Sequence, residues 1–376
     1  SPLAAIAEKL RAVVSRLGVE TYGTAGEAFD PQQHEAIFQV PTPGATEQTI
    51  VEVVEVVAVI TADVLDTDEI CVEIGADLIA AALDQWRDDA SIEQVIIHSS
   101  GKHFCAGGDV RAAREGVVEG RAEEVDSYFA DEYEMNLAIA NYPKPYIALV
   151  NGVIMGGGLG VSAHGSHLVV TEDAFASMPE MNIGFITDVG MSHKLQNLPK
   201  RPSAALGTFL ALTGYRLSAD DMLATGLATH KVASLDGLVE RIAAEGLGVL
   251  DEVSLPAGDS ELARWFDAVE GVFVGSWPEI SQRLDSAPPE LAQLVEKLTA
   301  QASPSALVAA SELMAANSSL DLAQSLENER ALAAVMCREP DFAEGVRAVL
   351  LDKTNDADFA EPREPELYRN ALRHVG

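Results

Sequence analysis

Phe104-Cys105-Ala106-Gly107-Gly108-Asp109, then Asn151-Gly152 and Gly156-Gly157-Gly158, then Met178-Pro179-Glu180 and Thr187-Asp188-Val189-Gly190, decide how this chain is read. Small-residue turns let backbone N–H groups approach a ligand with no Cβ in the way. Two such donors converging on one carbonyl oxygen make an oxyanion hole. Glu180 and Asp188 follow within the same region and can supply proton chemistry, so the run has the parts of an acyl-transfer site.

Around these turns the pattern alternates. Leu78, Ile79, Ala82, Leu83 and Trp86 share one helical face, and Gln94-Val95-Ile96-Ile97-His98 reads as a buried strand. Pro145 to Val150 and His167 to Thr171 are apolar runs bounded by Gly and Pro, with helices between them. Such alternation predicts a layered α/β core. Beyond about Leu238 the chain turns helical: Leu291, Leu294, Val295 and Leu298 follow one spacing, and Leu320, Leu326, Leu332 and Val335 another. Pro288-Pro289 and Ser303-Pro304-Ser305 separate these helices. At the other end, Leu3 to Leu17 follow helical spacing and stop at Gly18, ahead of turn residues and the β-branched run Thr49 to Val57.

With 48% hydrophobic residues among 376, a sizeable buried core is expected. A formal charge of -34 argues against nucleic acid and anionic membranes as partners, because both are polyanions. Cys71, Cys105 and Cys337 are scattered and form no metal-like pair, so neither a disulfide framework nor a structural metal is expected, and a reducing cytoplasm fits best. No apolar run reaches the roughly 18 residues of a spanning helix, and the N-terminus lacks the layout of a signal peptide. Asn317-Ser318-Ser319 is read as a chance sequon in a loop.

Several other chemistries fail on spacing. Gly156-Gly157-Gly158-Leu159-Gly160 is not G-x-G-x-x-G, Gly101-Lys102-His103 is not a Walker loop, and no G-x-S-x-G elbow exists. Taken alone, the glycine triplet would equally serve a tight strand-to-helix turn, Glu180 a solvated loop, and Asp188 the N-cap of the next helix.

Phe104 to Arg111, Asn151-Gly152 through Gly158, and Met178-Pro179-Glu180 resemble the signature of the crotonase (enoyl-CoA hydratase/isomerase) superfamily. Asp188-Val189-Gly190 and the run Phe342 to Lys353 resemble its 3-hydroxyisobutyryl-CoA hydrolase branch, over roughly residues 75–359. The resemblance implies a spiral of ββα turns with a helical C-terminal extension packed over the site. It divides the chain into a core at 58–237 and the extension at 238–376. It implies oxyanion donors at the N–H groups of Ala106 and Gly157. Glu180 then acts on a thioester as nucleophile or general base, and Asp188 binds the substrate hydroxyl. Lys102, Arg111 and Arg114 become candidate contacts to CoA phosphates, ahead of Lys144 and Lys353, and Arg347 with Asp352 an internal polar pair. Hydratases place a second catalytic glutamate where this chain has Gly160, so hydration by a two-glutamate route is disfavoured against hydrolysis. Thr187 and Met191 depart from the proline and glycine of the hydrolase pattern. The implied substrate is an acyl-CoA, the implied activity thioester hydrolysis in valine breakdown without metal or redox cofactor, and the implied assembly a homo-oligomer. Another crotonase-type hydratase or isomerase is the alternative.

Leu17 to Glu20, Gly26 to Pro31 and His34-Glu35-Ala36 resemble instead the C-terminal β-domain of the nucleotide-exchange factor GrpE. On that resemblance residues 1–57 form a short helix and a partial β-domain. A DnaK-type chaperone is a partner only if this segment functions, and deleting Ser1 to Val56 should leave hydrolysis intact.

Overall fold

The computed structural model describes residues 58–62, 76–99 and 101–374. The chain divides into two compact units, Ser1–Ala58 and Val59–Gly376. The helix and strand expected before Ala58, and Cys71, lie outside the described residues.

Eight strands are described: β1 (Ala58–Ala62), β2 (Val95–Ser99), β3 (Tyr146–Val150), β4 (Val153–Met155), β5 (His167–Thr171), β6 (Phe175–Ser177), β7 (Leu217–Ser218) and β8 (His230–Val232). Five form one sheet in the order β1-β2-β3-β5-β8, and three form a second in the order β4-β6-β7. Within the first sheet β2/β3, β3/β5 and β5/β8 are parallel, with Ala148 opposite both Ile97 and Leu168. All five residues of β3 are buried, as expected of a parallel strand covered on both faces.

The chain steps repeatedly from the larger sheet to the smaller. After β3 the Asn151-Gly152 turn, with Gly152 at φ +57°, carries it into β4, and after β5 a short turn carries it into β6. Since β4 and β6 are also parallel, each step repeats the last, and the stack of steps is the expected spiral. Helices close the turns: α1 (Ala76–Arg87), α2 (Val110–Val118), α3 (Ala122–Ala140) and α4 (Gly157–Ser162). Ile79, Leu83 and Trp86 of the face read from sequence are buried.

Helices dominate the remainder. Every residue of α5 (Ala204–Thr213) after the exposed Ala204 is buried, and α6 (Pro304–Asn317) is nearly as apolar all round, which marks both as internal. Ser303 caps α6 by accepting from Ala306 N, with Pro304 in the first helical position, so the Ser-Pro-Ser signal starts this helix. α7 (Leu322–Met336) begins in a capping box between Asp321 and Gln324, which leaves Leu320 in the preceding turn. α8 (Pro340–Val346) packs on α2, α7 packs on α3, and α9 (Pro365–Ala371) packs on α6 and α7. Asn317 is the buried last residue of α6, not a loop residue, so its sequon is inaccessible. Among the described residues no helix is long and apolar enough to cross a membrane.

Candidate active site

The site starts at one isolated parallel bridge between Cys105 and Ile154. Cys105 N donates to Val153 O at 3.0 Å and Met155 N to Cys105 O at 2.9 Å, so two backbones leave the bridge side by side. One enters Ala106-Gly107, the other Gly156-Gly157. Gly107 at φ +135° and Gly156 at φ +49° take conformations that side chains disfavour. The approach is close: a Cβ on Gly157 would stand 3.2 Å from Gly108 N, and one on Gly158 would lie 2.8 Å from the Cβ of Cys105. Ala106 and Gly157 keep partial exposure while Cys105, Gly156 and Gly158 are buried. Among the described residues neither the Ala106 nor the Gly157 N–H donates to a backbone acceptor.

Three carboxylates converge on this seam. Glu180 opens the 3-10 turn Glu180–Ile183, and its Oε1 lies 2.9 Å from where a Cβ of Gly156 would be. The turn is fixed from the helical extension: Ser303 N donates to Met181 O at 2.8 Å, and Gly184, at φ +70°, lets the Asp341 backbone approach. Glu132, from α3, brings its Oε1 to 2.8 Å from the Cβ position of Gly157. Asp188 accepts from the Tyr133 hydroxyl at 2.7 Å.

Among the described residues none of these three makes an ion pair, and Glu180 Oε2 is buried without a hydrogen-bond partner. Burial, reinforced by the Asp188 charge, pushes Glu132 up to about 8. Burial also lifts Asp188 to about 7, against the opposing bond from Tyr133. Glu180 is raised well above the usual carboxylate range by burial first and by Asp188 next. Crowded carboxylates in low dielectric cannot all ionise together, so the free site retains protons near neutrality.

The Asp188 loop is held in an unusual shape. Val189 has φ +50°, and its carbonyl accepts from His164 Nε2 at 2.7 Å. A carbonyl only accepts, so Nε2 carries the proton, and burial pushes His164 down to about 4, which keeps the ring neutral. Asp188 is not a helix cap: the next helix, Met191–Lys194, starts after Gly190, and Asp188 accepts from Met191 N only through its backbone oxygen. Thr187 donates to Ala211 O at 3.1 Å and Met191 is fully buried, so both departures from the hydrolase pattern are absorbed by packing.

The expected phosphate contacts divide. Lys102 is exposed in the loop before the first motif, and Arg111 is half-buried on α2. Arg114 Nε donates to Ala343 O at 2.8 Å and ties α2 to α8. Lys144, part-buried, is engaged with the Trp86 and Asp89 carbonyls. Arg347 and Asp352 are paired as expected, joined by Glu344 and Asp356. At Gly160 the Asn136 Nδ2 and the Val189 Cβ each stand 2.8 Å from the Cβ position, so a side chain there would have to displace them.

Glu132, Tyr133 and Asn136 escape the sequence reading, although Tyr128, Glu132 and Asn136 recur every four residues as a polar stripe on a helix. A model of the family described as enoyl-CoA hydratase/isomerase matches residues 75–375. The chain belongs to this family. Among its relatives, the mitochondrial 3-hydroxyisobutyryl-CoA hydrolase of Xenopus tropicalis is 37% identical over 308 residues, covering 77% of this chain and 77% of that protein. The mitochondrial human protein of the same name is 34% identical over 325 residues, covering 78% and 80%. Of solved structures, an enoyl-CoA hydratase from Rhodobacter sphaeroides 2.4.1 aligns with a TM-score of 0.71 at 30% identity, covering 81% of this chain and 93% of that one. A carnitinyl-CoA dehydratase from Mycobacterium thermoresistibile gives 0.70 at 32%, covering 78% and 89%. A second family model, GrpE, matches residues 3–56, outside the described residues.

Proposed function

We propose that this member of the enoyl-CoA hydratase/isomerase family is an acyl-CoA thioesterase that converts 3-hydroxyisobutyryl-CoA and water to 3-hydroxyisobutyrate and CoA, as in valine breakdown, with no metal or redox cofactor. The observation that carries this reading is the placement of the buried Glu180 carboxylate against the Gly156 turn, with Asp188 nearby and no carboxylate at Gly160. The names of the relatives set the acyl group.

In this mechanism the thioester oxygen sits between the N–H groups of Ala106 and Gly157, which stabilise the charge of the tetrahedral intermediate. The ionised fraction of Glu180, which burial and Asp188 keep small, either attacks the carbonyl carbon or removes a proton from an attacking water. In the first route the carbon–sulfur bond breaks, the thiolate leaves as CoA, and water then cleaves the mixed anhydride. In the second, the water oxygen bonds the carbonyl carbon and becomes the new carboxyl oxygen as the carbon–sulfur bond breaks and CoA leaves as the thiolate. Asp188 receives the substrate hydroxyl and orients the acyl group. Lys102, Arg111 and the remaining donors of Arg114 face the CoA phosphates.

Thiol release, assayed with 3-hydroxyisobutyryl-CoA and an enoyl-CoA side by side, tests the proposal. Release from the hydroxyacyl substrate is expected. Hydration of the enoyl substrate with no thiol released would replace this reading with the hydratase alternative.

The GrpE match supports a second proposal, nucleotide exchange on a DnaK-type chaperone by residues 1–57. ADP release from such a chaperone, with and without the segment, decides it. Cytoplasmic placement and a homo-oligomer are proposed from cysteine usage and family likeness, and fractionation and light scattering test them.

A further inference from the structure

A second buried carboxylate cluster partner lies outside the reacting groups. Glu329, on α7, is fully buried and faces the turn that follows Asp188. Its Oε2 accepts from Gly190 N at 2.7 Å, and its Oε1 accepts from Ser192 N at 3.2 Å and from the Ser192 hydroxyl. Every one of these contacts is a donor. The Ser192 hydroxyl itself accepts from Asn317 Nδ2 at 2.7 Å, so its own proton is directed to Glu329. Such a donor set suits the ionised carboxylate, while burial works in the other direction and pushes Glu329 up to about 8.

The chain of bonds continues away from the site. Asn328 Nδ2 donates to Asn317 Oδ1 at 2.8 Å, and Asn328 Oδ1 accepts from the backbone N–H groups of Arg373 and His374 at 2.7 and 2.8 Å. Ser192, Asn317, Asn328 and Glu329 have no exposed surface. A fully bonded buried network of this kind holds one geometry. What it holds is strained, because Val189 at φ +50° is a β-branched residue in a region that favours glycine. His164 grips the same turn from the other side through the Val189 carbonyl.

We infer that Glu329 is a positioning residue for the reaction: from α7 it clamps the Val189-Gly190 turn and so fixes the Asp188 carboxylate relative to the glycine seam. The inference rests on the thioesterase reading for its kinetic consequence, but not for the clamp. Misplacing a catalytic group by about 1 Å costs about a hundredfold in rate, so loss of the clamp acts on kcat. The titratable groups around Asp188 and its turn are Glu132 and Tyr133 of α3, Glu180, His164 after α4, His193 with Lys194 on the following helix, and Cys337 after α7.

Glu329→Gln in the full chain tests it, with kcat, KM, the pH profile of kcat/KM on 3-hydroxyisobutyryl-CoA, and hydrogen exchange at Gly190 and Ser192. The expected result is a kcat loss of about 10- to 100-fold with KM within about threefold. Exchange at both amides should quicken about tenfold or more, since each loses a charged acceptor worth about that factor. Above about 8, where Glu329 carries its charge, the variant's pH profile should depart from that of the unsubstituted protein, because the negative charge beside Asp188 has gone. Kcat and exchange both within about twofold of the unsubstituted protein would overturn the inference, as would a kcat loss equal to the unfolded fraction with an unmoved pH profile. Ser192→Ala, which removes one of the three donors, carries the same readouts if Glu329→Gln does not fold. An unsubstituted protein that releases no thiol would fail the thioesterase reading alone, and exchange would still decide whether Glu329 holds the turn.

Discussion

Tyr133 and Asp188 meet inside the site, the phenol donating to Oδ2 at 2.7 Å with both side chains buried. This bond favours the ionised form of Asp188 and opposes the burial that lifts it to about 7. Tyr133→Phe removes it without removing the ring, which packs near Phe129. A bond to a charged group is worth about 1.5–3 kcal/mol, so kcat should fall about 10- to 100-fold. The acid limb of kcat/KM should move to higher pH. A pH-rate profile of the variant beside the unsubstituted protein checks the sign.

Glu180 is buried against the glycine turn with one oxygen unpartnered, the state of a group waiting for substrate or water. Glu180→Gln keeps the shape and removes the base or nucleophile. A kcat loss of about 10²–10⁴ is expected, with KM nearly unchanged. Steady-state kinetics with active-site titration measures it, and full retained activity would end the mechanism proposed here.

Gly157 has almost no room. A Cβ there would stand 2.8 Å from Glu132 Oε1 and 3.2 Å from Gly108 N, so Gly157→Ala must move the carboxylate or open the seam. Loss of one oxyanion donor costs about 10²–10³ in kcat, and that range is expected here. Gly248→Ala is the control: a Cβ there meets nothing within 4 Å, and the residue opens a surface helix. Its activity should be unchanged and its stability equal or higher by about 0.4–1 kcal/mol.

What the sequence could disclose followed from how local the signal was. His167 to Thr171 was legible as a strand because a short apolar run between turn residues needs both faces covered, and β5 occupies those residues. β4 and β7 hold three and two residues, too short for any period to show. The glycine motifs stood out because close backbone approach leaves a compositional trace. Glu132 left none: on α3 it is surrounded by Glu123, Glu124, Asp131 and Glu134, and only packing against the seam separates a buried acid from solvated ones. Glu329 reaches the turn after Asp188, at Gly190 and Ser192, from a distant helix, which no spacing rule spans. Arg114 was read toward phosphate because a cation beside a glycine motif suggests one, and its bond from Nε to the Ala343 carbonyl, brought there by α8 packing on α2, left no trace in the local sequence.

The same crowding that equips the site should weaken the fold as pH rises. Glu132 binds its proton up to about 8 in the folded protein, against an ordinary value of 4.5 in the unfolded chain. Between those values the folded state holds more protons than the unfolded state, so stability falls with increasing pH. This contribution is fully present below about 4.5 and is lost as pH passes through about 8. Glu132→Gln stays neutral throughout and fits the same space. It should therefore melt higher than the unsubstituted protein at pH 9, by a few degrees, with the gain shrinking toward pH 5. Thermal melts of both proteins across that range measure the difference. An equal offset at every pH would mean that Glu132 is ionised in the folded protein without cost, and that the carboxylates beside the seam do not repel as their burial requires.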